Sequence, residues 1–127
     1  MTPEEIGKMT DRELQKALAR VRGWKALHDC PGFLIGFAPG QNKAIFVPSW
    51  PTDPTASSQL RQELWKRLRL YSLVIKAEPD RVTVMIRRAG DYLNPVWILE
   101  RLVTDHIAAE CLAVAKAALI VLTEATP

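Results

Sequence analysis

The chain has 127 residues, 48% of them hydrophobic and 24% charged, which suits a soluble globular protein with one domain and a single ordinary core. Its longest apolar run, from Cys111 to Leu122 and broken by Lys116, falls short of the roughly 20 residues that a membrane span needs. The acidic start, Thr2-Pro3-Glu4-Glu5, has no apolar signal region, so two cysteines predict reduced thiols and a cytoplasmic location. A net charge of +3 is only mildly basic.

Thr2, Pro3 and Glu5 together signal a short helix, with a cap, a proline at the first position and a capping box. Gly7 should end it. Thr10-Asp11-Arg12-Glu13 repeats the box, and Leu14, Ala17, Leu18 and Val21 then form a single apolar stripe. Gly23 is the expected left-handed stop, with Trp24 folding back on the stripe. Residues 32–38 and 43–47 read as two short strands around the turn Pro39-Gly40-Gln41-Asn42, a β-hairpin.

The prolines at 48, 51 and 54 then open the stretch that the chain looks organised around, residues 50–88. Asp53 is a good helix cap before Pro54, and Leu60, Leu64 and Leu68 form a buried stripe, with Trp65 beside it and expected in the core. An anion site among Thr55, Ser57 and Ser58 competes with that cap, which would use the same amides. Tyr71 to Ala77 and Val82 to Ile86 alternate in strand fashion around Glu78-Pro79-Asp80-Arg81. Val74 and Met85 make the second face partly apolar, which predicts helices on both sides of this sheet.

After the turn signals Gly90-Asp91 and Asn94-Pro95, Val96, Ile98, Leu99 and Leu102 suit a short helix. Tyr92 and Trp97 lie in this segment, where binding residues on loops are sought first. A last helix starts at Thr104 or Asp105 and runs to about Leu122. Its inner stripe is Ile107, Cys111, Ala115, Ala118, Leu119 and Leu122, and its other faces are apolar enough to suggest a homo-oligomer interface. The fold class expected is α+β, an α/β/α sandwich of mostly antiparallel hairpins flanked by helices on both faces.

Several of these stretches resemble the phage ABA sandwich domain family. They are the Thr2-Pro3-Glu4-Glu5-Ile6 start, the Leu14 to Val21 helix closing on Gly23-Trp24, the entry Pro48-Ser49-Trp50-Pro51-Thr52-Asp53, and the run Ala108-Ala109-Glu110-Cys111-Leu112-Ala113. The chain departs from the family in its longer 89–103 segment. The resemblance implies the same sandwich and a phage origin, and supplies no catalytic residues.

The chemical constellations point away from catalysis. His28, Cys30, His106 and Cys111 have spacings unlike paired zinc ligands, so no metal is expected. A Cys30–His106 nucleophile pair has no supporting context, because Cys30 precedes a proline instead of opening a helix. Glu100, Asp105 and Glu110 are spaced for a solvated surface. Arg61, Lys66, Arg67 and Arg69 crowd the central helix, with Arg81, Arg87 and Arg88 on the hairpin behind it. With Trp50, Tyr92 and Trp97 they mark a basic, aromatic surface for a partner. The expectation is a non-enzymatic phage accessory protein without cofactor that binds and neutralises a host factor. That factor is a host defence protein or a small anionic signalling molecule. A DNA- or RNA-binding protein is the alternative.

Overall fold

The computed structural model describes residues 2–67, 71–88, 96–101 and 105–125, and for 67, 71–73, 86–88, 96, 97, 99, 101, 124 and 125 it describes the backbone alone. The elements in order are α1 (Pro3–Gly7), α2 (Asp11–Val21), β1 (Lys25–Cys30), β2 (Phe33–Phe37), β3 (Ala44–Phe46), α3 (Pro54–Arg67), β4 (Tyr71–Glu78), β5 (Arg81–Arg88), β6 (Val96–Arg101) and α4 (His106–Ala125). The fold is α+β, with two three-stranded antiparallel sheets ordered β1-β2-β3 and β4-β5-β6.

Local chemistry sets the helix starts. Thr2 Oγ1 accepts from the Glu5 amide, and Thr10 with Glu13 completes a full capping box. Asp53 caps α3 by accepting from Thr55 N at 3.1 Å, so the cap and not an anion uses that amide. Asp105 accepts from Ala108 N at 2.8 Å and opens α4. Gly23, at φ +89°, stops α2 in the left-handed region, and Trp24 beyond it packs on the core.

The element that organises the molecule is α4, not the 50–88 stretch. Residues 113–121 are buried without interruption. On one side α4 lies against β5 and β6; on the others it meets α1, α2 and α3. Its first 18 residues, His106–Thr123, have a mean hydropathy of 1.7, long and apolar enough by composition to cross a bilayer. Here 61% of that window is covered by the chain itself, as in a core helix. Ile107, expected on the inner stripe, is exposed instead.

Lys116, which interrupts the apolar run, is buried and ion-paired with Glu100 of β6, and it donates to the Gly7 carbonyl at 2.9 Å. Glu100 is therefore an inward partner, not a surface acid. Glu110 likewise pairs with Arg61 at 3.2 Å, joining α4 to α3.

Other expectations change as well. Residues 96–101 form a strand and not a helix, since the outer edge of β5 offers a full ladder from Arg81↔Arg101 to Ile86↔Val96. Ile98 and Glu100, two apart, both turn toward α4. β1 is an additional strand, antiparallel to β2, that the hairpin reading did not include. Trp65, expected in the core, is 52% exposed, because α3 turns Leu60 and Leu64 inward and leaves position 65 on its flank. Helices cover one face of β4-β5-β6 among the described residues, and Val74 on the opposite face is 49% exposed.

Removing one partner of the buried pair strands a charge in the core. We expect Glu100→Gln or Lys116→Met alone to cost about 3–5 kcal/mol in urea unfolding, and the double change Lys116→Met/Glu100→Met to recover much of that loss.

Candidate functional site

Sheet β1-β2-β3 carries the surface that stands out. Along β2, Leu34 and Gly36 are buried while Phe33, Ile35 and Phe37 alternate to the other face. The register sets Phe46 opposite Ile35 and Ala44 opposite Phe37, so these side chains share that outer face. His28 and Cys30 of β1 oppose Ile35 and Phe33. All three phenylalanines of the chain thus stand on one side of one sheet. Phe46 is 70% exposed and Phe33 42%, and their rings meet edge to face at 5.3 Å.

The buried face of this sheet explains why it is held so firmly. A Cβ on Gly36 would come within 2.8 Å of Leu27 Cδ2 and 3.2 Å of the Lys25 carbonyl, so the bare backbone lets β1 close over β2. Gln15, buried on α2, donates to the carbonyls of Val47 and Pro48 at 3.0 and 3.2 Å. Arg12 donates to the Phe33 carbonyl at 2.6 Å and pairs with Asp29 at 3.1 Å, and Lys16 pairs with the other oxygen of Asp29. These contacts fix the sheet on α2 and leave the phenylalanine face outward. Lys25, opposite Phe37, and Lys43, just before Ala44, are exposed at one end of that face.

The residues singled out from sequence are distributed differently. Trp50 is 2% exposed with the Arg22 guanidinium 4.8 Å from its ring centroid, and Arg22 also pairs with Glu63. It is a core residue and not a contact. Arg61 is engaged by Glu110, while Lys66 is exposed. Ser58, Arg61, Gln62 and Trp65 of α3 line, with Ile75 of β4, an open cleft of about 330 Å³. Arg67, Arg87, Arg88 and Trp97 have a described backbone only, and Tyr92 lies outside the described residues, as does Arg69. Arg81 is tied into the β4–β5 turn by Asp80 at 3.2 Å and Glu78 at 3.8 Å.

The cysteine and histidine positions do not converge. His106 Nε2 sits 2.6 Å from the Glu78 carbonyl, at the β4–β5 turn, while Cys30 belongs to the other sheet. Burial pushes the Cys111 thiol above its ordinary pKa, with a hydrogen bond to Ser57 opposing the shift. Among the described residues no group of three or more His, Cys, Asp or Glu side chains is placed to hold a metal. The phenylalanine face is not legible in the expected hairpin, because pairing two strands does not say which of their faces meets solvent. The alternation Phe33, Ile35, Phe37 was the available signal, but which face met solvent was not.

No match to this chain is found among family models, curated proteins or solved structures.

The Asp29 carboxylate is held below its ordinary pKa by the hydrogen bond from Lys16, with further help from Arg12. A depressed carboxylate stabilises above its unfolded pKa of about 4 and loses that effect as pH falls through the lower folded value. We expect the melting temperature of Asp29→Asn to fall below that of the parent at neutral pH. The two should converge as the pH drops below about 4, as calorimetry across pH would record.

Proposed function

We infer that this chain is a non-enzymatic binding protein that captures a partner protein on the phenylalanine face of β1-β2-β3. The observation supporting this is the exposure of Phe33 and Phe46 side by side on a sheet face that α2 anchors from behind. Contiguous apolar surface on a folded domain is a mark of association, since covering it gains about 25 cal/mol per Å². Lys25 and Lys43 at one end of the face suit a partner whose apolar patch is bordered by acidic groups.

With the resemblance to phage ABA sandwich domains, the reading becomes a phage accessory protein acting in the host cytoplasm. Occupying a functional surface of a host protein neutralises it without chemistry. A nucleic-acid reading would use the α3 side, where Glu110 engages Arg61 and lessens the charge available to phosphates. A small anionic ligand would have to use the cleft beside Trp65. The phenylalanine face favours the protein partner over both.

The test is a benzophenone amino acid placed at position 46 and, as a control, at the exposed Arg20 of α2, followed by irradiation in the host cell. The expected result is a protein adduct at 46 that is absent at 20 and disappears when Phe33→Ser and Lys43→Glu accompany the probe. Adducts no stronger than at position 20, adducts to nucleic acid, or adducts to a second copy alone would each overturn the reading.

A further inference from the structure

We propose that β3 is a self-pairing edge, through which two copies of this chain join into one six-stranded sheet ordered β1-β2-β3-β3-β2-β1. This does not rest on the docking reading, because it uses the backbone edge of the sheet and not its face.

The two edges of the sheet are treated differently. β1 is guarded: its ladder with β2 shifts between Lys25 and His28, Ala26 sits at φ +52°, and Asp29 is held by Arg12 and Lys16. Bulges and charges of this kind keep an edge from recruiting another strand. β3 is short, set between Lys43 and Pro48, but holds neither a bulge nor a charge within it. Ala44, Ile45 and Phe46 pair with β2 in unbroken register, carry no charge and are all exposed.

The hydrogen-bond phase of β3 selects one symmetric register. Val47 N donates to Leu34 O at 2.9 Å, which makes that opposed pair a hydrogen-bonded one. Bonded and non-bonded pairs alternate along an antiparallel ladder, so Ile45 directs its N–H and C=O at β2. Ala44 and Phe46 direct theirs at the open edge. A two-fold axis at Ile45 sets Ala44 against Phe46 of the second copy, and Phe46 against its Ala44. All four outward N–H and C=O pairs are then bonded within β3. An axis at Phe46 would instead oppose Ala44 to Pro48, which has no N–H, and an axis at Ala44 would draw in Asn42 from outside the strand.

Side-chain shape fits the same register. On the outer face a small residue meets a large one twice, Ala44 with Phe46, which extends the phenylalanine surface across both copies. On the opposite face lies Ile45, on the side that buries Leu34, Gly36 and Val47, yet it is 45% exposed. It stands exposed because β3 is the edge strand of the sheet, with no strand beyond it among the described residues. At the axis it would meet its own copy, where opposed non-bonded residues bring their Cα atoms to about 4.5 Å.

That separation is within disulfide reach, which supplies the test. In a Cys30→Ser background, Ile45→Cys should cross-link to dimer under mild oxidation, and Asn42→Cys should not. Sedimentation of the unmodified chain at rising concentration should show a monomer–dimer equilibrium that Ile45→Lys abolishes, with the circular dichroism of the variant unchanged. A parent that stays monomeric at every concentration, a dimer that persists in a folded Ile45→Lys variant, or cross-linking as fast from position 42 as from 45 would overturn the proposal. Loss of fold in Ile45→Lys leaves the cysteine comparison to decide.

Discussion

Everything in this molecule depends on getting α4 out of water. From Ala113 to Val121 the helix has no face that tolerates solvent, and each fully buried Leu, Ile or Val there contributes about 1.5–3 kcal/mol. A single sheet or a single helix would cover half of it. The chain instead supplies β5 and β6 on one side and three helices on the others. The one polar interruption, Lys116, is accommodated because its stem packs with the apolar residues while its ammonium meets Glu100 and the Gly7 carbonyl. That contact ties the second residue from the end of β6 and the last residue of α1 to the middle of α4. It makes the position of the first and last thirds of the chain mutually dependent.

Most of α4 is covered by the chain itself, and the exposed phenylalanines lie on β1-β2-β3. The phenylalanine face is the more telling because its support is so specific. Gln15, Arg12 and Lys16 hold the sheet to α2 from behind through the Val47, Pro48 and Phe33 carbonyls and through Asp29. A rigid scaffold behind an uncovered apolar face limits the ordering cost of binding. The proposed pairing of β3 would double that face without covering it, since edge and face are perpendicular directions of the same sheet. A bivalent surface of this kind raises the effective concentration at a partner that is itself repeated or dimeric.

The parts of the fold legible in the sequence were those governed by a few adjacent residues. The Thr10–Glu13 box, the Gly23 stop, the Asp53 cap and the Glu78 to Arg81 turn all depend on contacts within one turn of chain. Each appears as expected. What failed was decided at a distance. Residues 96–101 have apolar spacing compatible with either a helix or a strand, and the ladder offered by β5 settled it. Trp65 and Trp50 exchanged roles for the same reason. The flank of α3 that faces α4 is set by Leu60 and Leu64, which leaves Trp65 outside, while Arg22 and Glu63 close over Trp50.

By itself, then, the sequence determined the capped helix starts, the β2–β3 and β4–β5 hairpins and the presence of one very apolar helix, because capping, turn geometry and periodicity are short-range physics. Only the tertiary structure decided which side of each element meets water. Alternation in β2 sorts Phe33, Ile35 and Phe37 from Leu34 and Gly36, but either set could have been the buried one. The bare backbone at Gly36, which admits Leu27, and the carbonyls reached by Gln15 and Arg12 turned the smaller face inward. The phenylalanines were left outside for that reason, and the proposed docking face is made of them.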